Sequence, residues 1–378
     1  MKLVLVIPSL GGGGAERVMS ALANAWAVRG DTVTLVTLAR QDDRYPLNAA
    51  IRRVALGVKR RSSNPLTALA RNGHRVRALA HVLRDAAPDA VVSFTTRTNV
   101  LVLLAAGRRS RCVIVSERAA LGPCPVGAVW RALRRLLYRR AGAVVAQTRR
   151  GADALAARVG RAVEVIPNPL SAGFGALGPA AHRERAPFTL LAVGRLAPEK
   201  GFDTLLEAFA RIAGTHPDWN LTIAGEGPLR NALTQTIAAR DLAGRVVLPG
   251  FTRDVRATLR AADLFVLSSR FEGFPNALLE AMAEGLACVS FDCETGPREL
   301  ITHAHNGWLV APGDAAALAA ALSTLMRDGN LRARLGARAR AVCGVYALPE
   351  VMRQWNHLLA LACAPTRARS APFTADAK

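Results

Sequence analysis

Short apolar runs that lack in-out alternation recur along this chain, each separated from the next by a segment of helical period. Leu3-Val4-Leu5-Val6-Ile7 is the first of them. A strand covered on both faces reads as a continuous apolar run, whereas a half-exposed strand alternates, so the pattern calls for parallel sheets flanked by helices. In the first half, strands are expected near residues 2–8, 32–38, 90–94, 112–116, 143–147 and 163–166. A Pro167-Asn168-Pro169 break and a Gly/Ala/Pro-rich stretch over residues 171–187 then read as a linker. A second series has strands near 188–193, 220–224, 246–248, 264–267, 287–290 and 308–310, with helices beginning near Gly201, Pro228, Arg253, Pro275, Pro297 and Asp314. The expected fold class is α/β, with two doubly wound, Rossmann-like domains in tandem. At 378 residues, two domains each have length enough for a core. Residues 1–170 form the first and 187–345 the second; a C-terminal helix over 346–363 packs back on the first, and 364–378 form a disordered tail.

Composition removes several classes. With 51% hydrophobic residues and 6 cysteines that form no Cys-x-x-Cys pair, the chain is neither disordered nor a disulfide framework, a zinc knuckle or a thioredoxin motif. No apolar run reaches the roughly 18–20 residues of a membrane-spanning helix. The opening apolar run ends at Pro8 without a cleavage pattern, so it reads as a strand rather than a signal peptide, and a reducing cytoplasm is the expected location. The formal charge is +22, nearly all of it arginine, since only Lys2, Lys59, Lys200 and Lys378 are lysines. Residues 1–180 hold 28 basic and 9 acidic residues, against 22 and 19 in residues 181–378, so the excess sits in the first half. That half faces something anionic or merely tolerates its charge.

Three segments carry chemistry. Gly11-Gly12-Gly13-Gly14 follows the first strand and precedes a helix, so backbone N–H groups and a helix N-terminus converge where an anion could sit. It is not the dinucleotide fingerprint, because Glu16 stands where the third glycine belongs, and a tight turn is the plainer alternative. Gly194-Arg195-Leu196-Ala197-Pro198-Glu199-Lys200-Gly201 follows a strand and precedes a helix; Arg195 and Lys200 there suit a diphosphate, with a solvated surface charge as the alternative. In Phe271-Glu272-Gly273-Phe274-Pro275-Asn276-Ala277-Leu278-Leu279-Glu280, Gly273 allows close approach of a ligand and Pro275 suits a helix start. Glu272 and Glu280 can line one cleft and bond hydroxyls, although either alone is more commonly a surface or capping charge.

Together with the Gly296-Pro297-Arg298-Glu299 turn and Asn306-Gly307, these segments resemble retaining glycosyltransferases of family 4, which have the GT-B fold, from about Leu3 to Leu361. The resemblance implies two Rossmann-like domains with a cleft between them, the first binding the acceptor and the second a nucleoside diphosphate sugar, UDP-linked. It implies that Arg195 and Lys200 bind the donor diphosphate, that Glu280 bonds the ribose hydroxyls and that Glu272 holds the donor sugar. Gly273, Phe274, Pro275 and Asn276 complete that donor segment, Gly12 and Gly13 lie over the phosphates, and Phe251 lies near the base. Where many members carry a histidine, this chain has Val115-Ser116-Glu117-Arg118, similar to a subset associated with polysaccharide and lipid-linked oligosaccharide assembly. Either Glu117, as a catalytic group, or Arg118, on the acceptor, would stand in for it.

The seven histidines show no metal-ligand spacing and there is no Asp-x-Asp, so no metal and no cofactor are expected; Arg195, Lys200 and helix N-termini would neutralise the leaving diphosphate. Taken as a helix, residues 129–140 put Val129, Trp130, Leu133, Leu136 and Leu137 on one face and Arg131, Arg134, Arg135 and Arg139 on the other. That pattern fits peripheral binding to an anionic membrane surface, near a glycan or polyprenyl-diphosphate-linked acceptor, or else an ordinary packed helix with a basic outer face. Two other functions share features of the chain: a GT-B sugar-nucleotide epimerase of the hydrolysing type, and a basic nucleic-acid-binding protein. The second is disfavoured by an aromatic content of 5%, too low for stacking platforms.

Overall fold

The continuous apolar runs form strands, all of them parallel. The computed structural model describes residues 1–11, 13–40, 44–58, 65–118, 127–178, 186–252 and 254–363. The chain divides into two units, Met1–Pro167 with Pro349–Lys378, and Asn168–Leu348.

The first unit is a seven-stranded sheet of β1 (Lys2–Ile7), β2 (Thr32–Thr37), β3 (Arg52–Ala55), β4 (Ala90–Phe94), β5 (Val113–Ser116), β6 (Ala143–Ala146) and β7 (Glu164–Val165), in the order β3-β2-β1-β4-β5-β6-β7. Helices α1 (Gly14–Val28), α2 (Pro65–Ala86), α3 (Thr96–Ala106), α4 (Ala128–Leu137) and α5 (Arg149–Val159) connect them. On one face Val4, Val6, Val36 and Val91 meet Leu79 and Leu83 of α2, Leu103 of α3 and Leu155 of α5. Alternate strand residues point to the other face. There Trp26 of α1 and Phe94 of β4 each lie 6.3 Å, ring to ring, from Trp355 of the C-terminal helix Leu348–Cys363, and Trp26 Nε1 donates to Asn356 Oδ1 at 2.9 Å. Strand β3 was not expected: Arg52-Arg53-Val54-Ala55 has no apolar run, and it pairs at the sheet edge with β2.

The second unit is a six-stranded sheet of β8 (Phe188–Val193), β9 (Trp219–Ala224), β10 (Val246–Gly250), β11 (Leu264–Leu267), β12 (Cys288–Phe291) and β13 (Trp308–Val310), in the order β10-β9-β8-β11-β12-β13. Helix α6 (Phe202–Ile212), α7 (Arg230–Ala239), α8 (Val255–Arg260) and α9 (Asn276–Ala283) follow its first four strands. Leu205, Leu206 and Phe209 of α6 pack on one face beside Leu318 and Leu322, while Leu278, Leu279 and Met282 of α9 pack on the other.

One expected boundary differs. Residues 168–178 do not act as a free linker but are anchored on the second unit, where Gly175 N donates to Glu284 Oε1 at 3.0 Å and Arg340 Nη2 donates to Gly175 O at 2.9 Å. The expected tail, 364–378, lies outside the described residues.

In both sheets the chain winds first one way and then the other, so β1 lies between β2 and β4, and β8 between β9 and β11. Such switch points open a crevice beyond the carboxyl ends of the strands, where doubly wound sheets take their ligands. The segments leaving β8 and β11 are those that hold Arg195, Lys200 and Glu272.

Candidate active site

In the second unit, the loop after β8 and the loop after β11 are fastened together by side chain–backbone and backbone–backbone hydrogen bonds. Ser268 Oγ donates to Lys200 O at 2.9 Å, and Arg270 N donates to Glu199 O at 2.9 Å. Gly201 makes this approach possible: its φ is +61°, and a Cβ there would lie 2.1 Å from Ser268 O. Across the junction Lys200 Nζ donates to Glu272 Oε1 at 2.5 Å, with the two side chains 21% and 10% exposed. Ser269 Oγ donates to the same Oε1 at 2.7 Å, and Thr295 Oγ1 donates to the Glu272 carbonyl. No hydrogen bond reaches Oε2 among the described residues. Glu272 is thus held rigidly through one oxygen and keeps the other available to a ligand hydroxyl.

Arg195 is exposed and makes no hydrogen bond or ion pair among the described residues. Its backbone is fixed by a neighbouring loop outside the three expected segments, Gly225-Glu226-Gly227 after β9. Leu196 N donates to Glu226 O at 3.0 Å, and a Cβ on Gly225, whose φ is +154°, would lie 1.8 Å from Gly194 O. Its sequence signal was a Gly-x-Gly directly behind a strand.

Helix α9 begins at Asn276, with Pro275 at its cap position, one residue later than expected. Glu280 is buried one turn in, and Ser171 Oγ donates to its Oε1 at 2.9 Å. Asn168 Nδ2 donates to Asn276 Oδ1 at 2.8 Å. Residues 168–171, expected to link domains, therefore brace two of the candidate donor-site side chains. Gly273 is half-buried and Phe251 is exposed beyond β10. Phe274 needs correction as a side-chain contact: its ring is buried in the apolar core and lies 5.8 Å from the Tyr346 ring, so only its backbone can meet a ligand. Pro275 is likewise buried and packs beneath Gly296, where a Cβ would lie 2.7 Å from Pro275 Cδ.

In the first unit, Gly12 lies outside the described residues. Gly13 has a φ of +155°, and a Cβ on it would lie 2.4 Å from Glu16 Oε2. The chain's own carboxylate thus stands beside the first turn of α1, at the place read as an anion site; a phosphate approaching there must displace it. At the β1/β4 switch point Thr95 holds a φ of 77°, rare for a non-glycine residue, and its N–H donates to Ser116 O at 3.2 Å. No sequence pattern announces this.

Glu117 follows β5 and is 4% exposed. It accepts from Thr96 Oγ1 at 2.6 Å and from Tyr138 OH at 3.0 Å, with Arg134 Nη1 3.8 Å away. Burial pushes its carboxyl above the usual range against these partners, and burial beside Glu117 pushes the Tyr138 phenol well up. This corrects the expectation of a catalytic Glu117: the carboxylate is turned into the unit as the hub of a buried polar cluster and anchors the turn beneath Arg118. Arg118 stacks with its guanidinium carbon 3.7 Å from the Phe94 ring centroid, and burial brings its pKa down to about 9. The residue is half-buried as a whole, but its Nε and Nη2 have no accessible surface against the Phe94 and Trp355 rings and do not face outward as the expected acceptor contact requires.

Arg134 also corrects the two-faced reading of residues 129–140. It is buried beside Glu117, and Trp130, Leu133 and Leu137 pack on the core. Val129 and Leu136 are instead 69% and 63% exposed, among exposed Arg131, Arg135 and Arg139. Among the described residues no group of three or more His, Cys, Asp or Glu side chains could hold a metal ion, and no helix is long and apolar enough to cross a membrane.

Comparison with known proteins is consistent with this geometry. The family model described as Glycosyl transferases group 1 matches residues 180–342, and that described as Glycosyl transferase 4-like domain matches residues 13–169. The exopolysaccharide phosphotransferase SCO2592 of Streptomyces coelicolor is 34% identical over 223 residues, 57% of this chain and 23% of its own. Two further relatives are matched over 48% and 49% of their lengths, so the chain spans half or less of these curated relatives. A Campylobacter jejuni protein named GalNAc-alpha-(1->4)-GalNAc-alpha-(1->3)-diNAcBac-PP-undecaprenol alpha-1,4-N-acetyl-D-galactosaminyltransferase is 26% identical over 365 residues, covering 95% of this chain and 98% of its own. Among solved structures, Anabaena Alr3699/HepE in complex with UDP and glucose superposes with a TM-score of 0.75 at 22% identity, covering 95% of this chain and 99% of that one, a likeness of fold.

Proposed function

The chain belongs to the GT-B glycosyltransferases of the family 4 type, and on that premise we propose that it moves a sugar from a nucleoside diphosphate sugar, UDP-linked, to a hydroxyl of a glycan or lipid-linked acceptor in cell-surface polysaccharide or oligosaccharide assembly, with retention at the anomeric carbon. The observation that carries this reading is the half-engaged Glu272 carboxylate, locked by Lys200 and Ser269 at the switch point of the second sheet, with Arg195, which has no partner among the described residues, on the loop behind β8. The UDP in the Anabaena structure and the undecaprenol-diphosphate acceptor in the name of the Campylobacter relative support the donor and acceptor classes.

In this mechanism Arg195 and Lys200 take the diphosphate, and the amino end of α9 adds the partial positive charge of its free N–H groups. The bond between the anomeric carbon and the leaving phosphate oxygen breaks as the acceptor hydroxyl approaches the same face. The departing phosphate takes the hydroxyl proton, and the new glycosidic bond forms where the old one stood. Glu272 holds the sugar hydroxyls through Oε2 and stabilises the cationic ring. No residue serves as nucleophile, so the rate comes from positioning and charge.

The direct test is a panel of UDP-, GDP- and ADP-sugars with a polyprenyl-diphosphate-linked glycan acceptor and excess chelator. A new glycosidic bond of retained configuration is expected from a UDP-sugar without added divalent ion. Free nucleotide with an epimerised sugar, or turnover only on restoring one metal, would overturn the reading.

Glu280 has a separable role. Gripping the ribose contributes equally to ground and transition states, so Glu280→Gln should raise donor KM by about tenfold while turnover survives. Steady-state kinetics over donor concentration checks this.

The exposed Val129 and Leu136 among arginines of α4 support contact with an anionic membrane surface, at which a lipid-linked acceptor is met. Co-sedimentation should be markedly greater with anionic than with neutral vesicles and weaker in Val129→Ser/Leu136→Ser. Equal sedimentation with both vesicle types would contradict it.

A further inference from the structure

A ligand-sized cavity lies at the opposite end of the first sheet from Glu117 and Arg118. Its volume is about 520 Å³, within the range of small-molecule sites, and it opens at the amino ends of β4 and β5 between the carboxyl halves of α2 and α3. Ala80, Leu83, Val91 and Ala106 form an apolar floor, Arg77, Arg84 and Arg108 are exposed around it, and no acidic residue lines it among the described residues.

The three cations have little to do for the fold. Arg77 and Arg108 make no hydrogen bond or ion pair among the described residues, and Arg84 Nε donates only to Ala80 O of its own helix, at 3.3 Å. Unpaired like charges gathered at one rim repel one another, and an anion that bridges them relieves that repulsion. A guanidinium fork matches a phosphate, whereas the floor favours hydrocarbon. Inorganic phosphate would leave the floor wet, and a purely apolar ligand would leave the cations unmatched. The occupant must carry both parts.

The surroundings say where such a molecule comes from. Leu104 of α3 is exposed beside the cavity's helix end, and Arg140 Nη2 reaches Gly107 O at 3.2 Å, which continues the basic rim toward α4 with its exposed Leu136. We propose that this cavity binds an anionic phospholipid of the bilayer, its phosphate between Arg77, Arg84 and Arg108 and the first part of an acyl chain on the apolar floor. The site is separate from donor and acceptor and rests on the membrane reading only for the source of the lipid. It gives the first unit a specific lipid contact beyond the diffuse attraction of its charge.

Titration calorimetry of the full chain with water-soluble dihexanoyl phosphatidic acid tests the proposal, with dihexanoyl phosphatidylcholine and inorganic phosphate as comparisons. Phosphatidic acid should bind at least about tenfold tighter than either. Arg84→Ala/Arg108→Ala should lose that binding by removing the cations, and Ala80→Trp by filling the floor with the cations intact. Cys112, a free, half-buried thiol on the cavity wall, supplies an independent readout, since bound lipid should slow its alkylation as followed by peptide mass mapping. Donor turnover on a soluble acceptor should stay unchanged in all these variants, so failure of the transferase reading registers separately. Equal binding of inorganic phosphate, or binding that survives both variants, would overturn the lipid site.

Discussion

Glu272→Gln should lower kcat on the order of 10²-fold or more with a much smaller change in donor KM. The substitution keeps the shape of the side chain and an acceptor for Ser269 Oγ, which lies 2.7 Å from Oε1 in the parent protein. What it removes, in the proposed mechanism, is the negative charge beside a sugar ring that becomes cationic as the leaving phosphate departs, an interaction that strengthens only in the transition state. Lys200 loses its ion-pair partner but is 21% exposed, so water can solvate the ammonium and the melting temperature should move little. Glu280→Gln, made beside it, should show the other signature, KM without kcat. A stable Glu272→Gln protein of full activity would overturn the site assignment; an exchange of the two signatures would instead overturn the separate roles given to the two carboxylates.

How much of this was legible in the sequence depends on where each residue finds its partners. Strands β4 and β11 could be read to the residue because they are buried on both faces, and their own side chains declare it. Strand β3 could not be read, because Arg52 and Arg53 are tolerated at an edge whose pairing with β2 is set by the neighbour. The segments that carry Lys200, Glu272 and Glu280 were readable as loop chemistry behind strands, but the bonds from Ser269, Ser171 and Asn168 were not, since serine and asparagine occur in any loop. Glu117 was misread for a related reason. Its setting is a buried cluster drawn from Thr96, Tyr138 and Arg134, on three different elements, and an acidic residue at a strand end looks the same whether it turns outward or in. Arg134 shows the same limit on helical periodicity. A helical wheel places charge opposite an apolar stripe, yet tertiary structure can bury one arginine where a carboxylate waits for it.

Lys200→Ala should be the most damaging single change at the proposed diphosphate site, lowering kcat/KM on the order of 10³-fold, because it removes both the cation assigned to the leaving group and the anchor of Glu272. Arg195→Ala, which removes an exposed cation with no structural partner among the described residues, should cost less, about tenfold to a hundredfold. The two losses also differ in stability. Without Lys200 the Glu272 carboxylate, 10% exposed, keeps its Ser269 bond but loses its counter-charge, a penalty of about 1–3 kcal/mol. The neutral partner removes that penalty. Lys200→Ala/Glu272→Gln should therefore melt higher than Lys200→Ala alone while remaining as inactive as the worse single variant, since the orphaned charge is gone but neither function returns. Thermal melts and single-turnover rates on the four proteins of this cycle separate the structural from the chemical contribution. Full turnover in Lys200→Ala would remove the lysine from the diphosphate site, and a double variant no more stable than Lys200→Ala would mean that the ion pair between β8 and β11 contributes nothing to holding the two loops together.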